Sequence, residues 1–115
     1  MPVTIYHNPR CSKSRQTLAL LAQRNINPRI IEYLVTPPTE DELKRLLRML
    51  GVPPRQLLRT NEEEYKRAKL DRPDVSDAEI VRAIVKYPRL LERPIVVSGD
   101  KAAIGRPPEN ILKIL

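Results

Sequence analysis

The chain sets short apolar runs at its two ends and longer amphipathic stretches between them. Val3–Tyr6 is rich in β-branched residues and is broken by Asn8-Pro9, a turn signal, so it predicts a buried strand followed by a loop. From Ser12 the period changes. Thr17, Leu18, Leu21 and Ala22 share one helical face, and Asn25–Pro28 ends that helix. "RIIEYL", Arg29–Leu34, reads as a second strand. Strand, helix and strand at this spacing predict a right-handed parallel crossover.

Pro37-Pro38 punctuates, and helical periodicity takes over. Thr39 with Glu42 forms a capping box ahead of Leu43, Leu46, Leu47 and Leu50, and Gly51 closes that helix. A short piece follows around Gln56–Leu58. Thr60 with Glu63, and Ser76 with Glu79, repeat the capping pattern and predict helices over Asn61–Ala68 and up to Pro88. Strand signals then return. Ile95–Val97 is an apolar run, Ser98-Gly99-Asp100 a hairpin turn, and Lys101–Ile104 the returning strand. Pro107-Pro108 opens a last helix with Ile111, Leu112 and Leu115 on its apolar side. The order β-α-β, helices, β-β-α predicts an α/β fold: one mixed four-stranded sheet in a thioredoxin-like layout. A single domain over residues 1–115 would carry a helical insertion at about 39–91.

Composition narrows the class. Of 115 residues, 41% are apolar, so a core can form, and the absence of Phe and Trp leaves it to aliphatic side chains. Charges of both signs make up 30%, which argues against disorder. No apolar run approaches the roughly 18 residues of a membrane span, and the N-terminus lacks the pattern of a signal peptide. One cysteine makes no internal disulfide. The expectation is a cytoplasmic protein without membrane association, and a monomer. The net charge of +7 suits an anion binder, of nucleic acid or of small oxyanions, or simply a solvated surface. Specific nucleic-acid binding is not expected, because aromatic platforms for base stacking are missing.

The single thiol and the single histidine lie together in "YHNPRCSKSR", Tyr6–Arg15. Cys11 falls where a loop becomes a helix. A helix N-terminus carries partial positive charge and free N–H groups, and Arg10, Lys13 and Arg15 stand nearby in sequence. A lone cysteine is ordinarily a small buried hydrophobe. In this setting a thiol pKa lowered from about 8.5 and a nucleophilic thiolate are expected. Backbone N–H groups from Ser12 to Arg15, with the hydroxyls of Ser12 and Ser14, would make an oxyanion cradle. His7 either orients the thiol loop or is a satisfied loop histidine. One His and one Cys are too few for a structural zinc site, so no metal is expected. Ser14 stands where a C-x-x-C motif has its second thiol, so any redox cycle must borrow that thiol from outside. Arg59, Arg93 and Arg106 lie at element boundaries, and Arg93 and Arg106 flank one hairpin. Guanidinium forks match tetrahedral oxyanions, although any one of these arginines taken singly reads as a solvated loop residue. Pro94 is a candidate cis-proline.

"IYHNPRCSKSR", Leu57-Leu58-Arg59, "RPIVV" and "GRPPE", in order and in register from Val3 to Leu115, resemble the ArsC family of glutaredoxin-linked arsenate reductases, the short bacterial subgroup in particular. The resemblance implies a thioredoxin-like fold with a helical insertion. It implies Cys11 as the catalytic nucleophile on arsenate and His7 as the loop histidine that helps tune the thiol; Ser14 and Arg15 are expected to tune it from their places in the same loop. It implies Arg59, Arg93 and Arg106 as oxyanion-binding residues and Pro94 as the structural proline beside the site. Glutathione would be the co-substrate and glutaredoxin the partner, with no bound cofactor. Better-known members carry C-G-T-S where this chain has Cys11-Ser12-Lys13-Ser14. Two other readings are a glutathione-dependent thiol oxidoreductase acting on another substrate, and a regulator like the Spx family, whose C-x-x-C switch Ser14 removes.

Overall fold

The computed structural model describes residues 2–115. The chain divides into two compact units, one made of the segment through Thr36 together with Arg93–Leu115, the other of Pro37–Glu92.

The first unit contains β1 (Val3–His7), α1 (Ser12–Gln23), β2 (Arg29–Glu32), β3 (Ile95–Ser98), β4 (Lys101–Ile104) and a 3₁₀ segment, Pro108–Ile114. The strands form one mixed sheet in the order β2-β1-β3-β4. β1 runs parallel to β2, with Ile5 opposite Ile30, and antiparallel to β3, with Ile5 opposite Val96. β3 and β4 form a hairpin in which Ser98 pairs Lys101. The turn is therefore the two residues Gly99-Asp100, with Gly99 at φ 63°. This is the mixed four-stranded sheet expected from the pattern. β2 is shorter than expected. The backbone N–H groups of Val35 and Thr36 both turn back to the Glu32 carbonyl at 2.9 Å, and the chain leaves the sheet there.

Ile5, Leu21, Val96 and Ile111 are fully buried as one cluster, with Val3, Leu18, Ile26, Ala103 and Ile114 packed against it. α1 turns Ser14, Thr17 and Leu21 inward, while Ala22 is exposed. The helical face predicted from the apolar residues is thus rotated toward two hydroxyl side chains. The closing segment winds as a 3₁₀ helix. Three residues per turn place Pro108, Ile111 and Ile114 in one row, and it is Ile114 that packs on the core while Leu115 is exposed.

In the second unit, α2 (Glu40–Leu50) begins at Thr39, whose hydroxyl accepts the Glu42 N–H at 3.2 Å. It ends at Gly51 in the left-handed region, φ 67°, which favours glycine. A 3₁₀ turn, Pro54–Leu57, precedes α3 (Glu63–Arg67), and α4 (Asp77–Lys86) precedes another, Pro88–Leu90. The Ser76–Glu79 capping box is complete. The Thr60–Glu63 box is not formed. α3 starts after Glu62, and that N-cap has no side-chain hydrogen bond. The Glu62 carboxylate instead pairs with Arg59 and Arg89. Leu43, Leu46, Leu57, Leu70, Ile80, Ile84, Leu90 and Leu91 are buried within this unit. Among the described residues, no helix is long and apolar enough to cross a membrane.

Candidate functional site

Cys11 is the N-cap of α1, with extended backbone at φ −94°, ψ 123°. In that position a side chain faces the free N–H groups of the first turn, as a capping serine does. Burial by itself pushes the Cys11 thiol up. The Ser14 backbone N–H, a hydrogen bond and charge from Arg93, and the Lys13 backbone N–H together outweigh burial, and the thiol lies below its ordinary range. Arg106 Nη2 also stands 3.6 Å from Cys11 Sγ. The lowered thiol is the outcome expected from the sequence, but its cations differ. Arg10, Lys13 and Arg15 are exposed, and Arg15 Nη1 donates to the Pro9 carbonyl at 3.0 Å. The guanidinium groups at the sulfur come from the other end of the chain, because β3 lies beside β1 and brings Arg93 to the loop that follows β1.

Ser14 is fully buried. Its Oγ accepts the Asn8 N–H at 3.0 Å and lies 2.6 Å from His7 Nδ1. A hydroxyl has one proton and two lone pairs, so while accepting the Asn8 N–H the Ser14 Oγ either donates to a bare His7 Nδ1 or accepts from Nδ1–H, according to the His7 tautomer. Burial lowers the His7 pKa; Glu32, its register partner on β2, opposes this, and Arg15 adds to it. The expected contribution of the Ser14 hydroxyl to an anion cradle is therefore corrected. That hydroxyl is turned inward and closes the loop, while the Ser14 backbone N–H faces the thiol. Asn8, absent from the sequence-based list, builds the rest of the loop. Its side-chain Oδ1 accepts the Arg10 N–H at 3.0 Å and its carbonyl accepts the Cys11 N–H at 3.0 Å. This is an Asx turn, and the Asn8-Pro9 pair was the available signal for it.

On the facing side, the Arg93-Pro94 peptide is cis, at the proline singled out from sequence, and the Arg106-Pro107 peptide is cis as well. Arg106 Nε donates to the Arg93 carbonyl at 2.7 Å, which aims the rest of its guanidinium at Cys11. The first unit thus brings together Cys11, His7, Ser14, Arg93, Pro94 and Arg106, and places Arg15 on the outside of the loop. Arg59 belongs to the second unit. Its backbone N–H donates to the Leu90 carbonyl at 2.8 Å, beside the Leu58–Leu91 bridge. Its Nη1 meets Glu92 at 2.9 Å and its Nε meets Glu62 at 3.4 Å. A half-buried thiol with a lowered pKa beside two guanidinium groups is a source of thiolate that can attack the central atom of an oxyanion those groups hold.

The model of the ArsC family matches residues 6–114. A protein named arsenate reductase in Haemophilus influenzae is 52% identical over 116 residues, covering 100% of both chains. One of that name in Escherichia coli K12 is 42% identical over 98% of this chain and 80% of its own. A solved structure described as arsenate reductase from Vibrio cholerae superposes with a TM-score of 0.97, at 50% identity, over 100% of this chain and 98% of that one. The family resemblance carried by the motifs and the thioredoxin-like sheet are both borne out.

Proposed function

This chain belongs to the ArsC family, and on that premise we propose that it is an arsenate reductase in which Cys11 is the nucleophile. The observation that carries the reading is the 3.6 Å approach of Arg106 to a thiol that Arg93 and the backbone N–H groups at the α1 N-terminus draw below its ordinary range. Arg93 and Arg106 supply N–H groups to the arsenate oxygens, and Arg59 is assigned the same role from the family motif. Cys11 Sγ forms a bond to arsenic, and water or hydroxide leaves. His7 and Ser14 hold the loop so that backbone N–H groups face the sulfur.

Reducing As(V) to As(III) takes two electrons, the number released when two thiols become one disulfide. The chain has one cysteine, so the second thiol comes from outside. We assign that role to glutathione, which displaces water from the arsenic bound to Cys11. A glutaredoxin thiolate then attacks the glutathione sulfur, and the As–S bond breaks with its electron pair left on arsenic. The products are a glutaredoxin–glutathione disulfide and As(III) on Cys11, which water releases as arsenite. No prosthetic group enters this scheme.

The test is an NADPH-coupled assay with glutathione, glutathione reductase and glutaredoxin, with and without arsenate. Arsenate-dependent oxidation in the wild type and its loss in Cys11→Ser are expected. Arsenate reduction that survives Cys11→Ser would overturn the assignment. Turnover that needs glutathione but not arsenate would replace the substrate.

A further inference from the structure

β4 runs into Gly105 and then Arg106, and Gly105 is pressed against α1. A Cβ at Gly105 would lie 2.6 Å from Thr17 Oγ1, 3.2 Å from Thr17 Cγ2 and 2.8 Å from Pro94 Cγ. Ordinary carbon contacts are about 3.5–4.0 Å, so a side chain here would push the backbone back by about 1 Å. Neither neighbour can give way easily. Thr17 is fully buried and its hydroxyl donates to the Lys13 carbonyl at 2.8 Å, while Pro94 is a ring. The Gly105 N–H donates to the Pro94 carbonyl at 2.9 Å, which ties the strand end to the same place. Arg106 is the next residue. Its guanidinium reaches Arg93 at 2.7 Å and Cys11 Sγ at 3.6 Å. Cys11 caps the helix that carries Thr17. The contacts therefore close a ring: Cys11, α1, Thr17, Gly105, Arg106, and Cys11 again.

We propose that Thr17 and Gly105 are positioning residues that set the distance between the Arg106 guanidinium and the Cys11 sulfur. Gly105 serves because it alone admits this approach, and Thr17 because its rigid, hydrogen-bonded side chain is the stop. The inference rests on Cys11 being the reactive thiol. It is independent of arsenate being the substrate. The other groups facing the sulfur are the Arg93 guanidinium and the backbone N–H groups of Lys13 and Ser14. Arg93 adjoins Pro94, which Gly105 touches, so Gly105→Ala is also measured in an Arg106→Gln background. No further shift of the thiolate midpoint is expected there, and a further shift would overturn the proposal.

The experiment is the pH profile of Cys11 alkylation by iodoacetamide, a neutral probe, with thermal denaturation measured on the same samples. Arg106→Gln marks complete loss of the contact. Gly105→Ala is expected to move the thiolate midpoint up toward that of Arg106→Gln, slowing alkylation at pH 7 by about threefold or more. Adding Thr17→Ala to Gly105→Ala removes two of the three close contacts and is expected to restore part of the loss. A Gly105→Ala protein with a lower Tm and a wild-type midpoint would overturn the proposal, because a purely structural role moves only the former. Should Gly105→Ala fail to fold, Thr17→Ala is compared in the wild type and in Arg106→Gln. An upward move seen only with Arg106 present supports the proposal. An unchanged midpoint overturns it, as does a move that persists without Arg106 and so acts through the Lys13–Ser14 peptide held by the Thr17 hydroxyl. A wild type inactive on arsenate, with these midpoints as expected, would remove the substrate reading and leave the positioning intact.

Discussion

Replacing Ser14 with alanine deletes one hydroxyl and strands two buried partners. The Asn8 N–H and His7 Nδ1 both lose the atom that satisfies them, at 3.0 and 2.6 Å. The residues left behind are 8% and 6% exposed, so solvent does not reach them freely. The space vacated is about that of a hydroxyl, smaller than the roughly 10–15 Å³ of probe-occupied volume a water needs. Each unsatisfied group costs about 1–3 kcal/mol, and the alanine recovers part of this by no longer burying a hydroxyl. The net expectation is about 2–4 kcal/mol. For a domain of this size that lowers Tm by roughly 5–15 °C. The loop also loses the tie that aims the Ser14 backbone N–H at Cys11, so alkylation of the thiol at pH 7 slows as well. Urea unfolding followed by circular dichroism measures the first effect and iodoacetamide kinetics the second. A loss of stability below about 0.5 kcal/mol would mean that Ser14 Oγ does not satisfy the loop.

Arg93→Gln removes a hydrogen bond and a charge from the thiolate, so the midpoint of the alkylation profile moves up and the rate at pH 7 falls several-fold; an unchanged profile would remove Arg93 from the thiol's surroundings. His7 is held neutral, so the unfolded chain binds a proton that the folded chain refuses. Stability should therefore rise with pH between the depressed folded pKa and the unfolded value of about 6.5, and Tm against pH in that window should be flatter for His7→Gln than for the wild type. Gly51→Ala places a side chain at φ 67° with nothing within 4 Å to contact; the cost is purely conformational, about 1 kcal/mol, and appears as a lower urea midpoint with an unchanged slope.

Features that rest on neighbours a few residues apart were legible in the chain. The α2 stripe, its Thr39 start and Gly51 stop, the Ser76–Glu79 box and the β3–β4 hairpin are each written in residues at local spacings, and each formed. Cys11 at the mouth of α1 was legible for the same reason: a turn signal followed by helical periodicity places a residue at a helix start. The family motifs then named the arginines. Where a local signal competes with a distant partner, the sequence alone misleads. Thr60–Glu63 has the spacing of a cap, but ion pairs from Arg59 and Arg89 claim Glu62, and the helix begins later. Arg10, Lys13 and Arg15 are the thiol's neighbours in the chain, yet Arg93 and Arg106 are its neighbours in space, the latter 95 positions away. Sheet pairing decides that, because β3 docks beside β1 and carries its own end to the β1 loop. The inward turn of the Ser14 hydroxyl and the fit of Gly105 against Thr17 were likewise left to tertiary structure. Both depend on which groups are excluded from water and which backbones touch, and no periodicity in the chain encodes either.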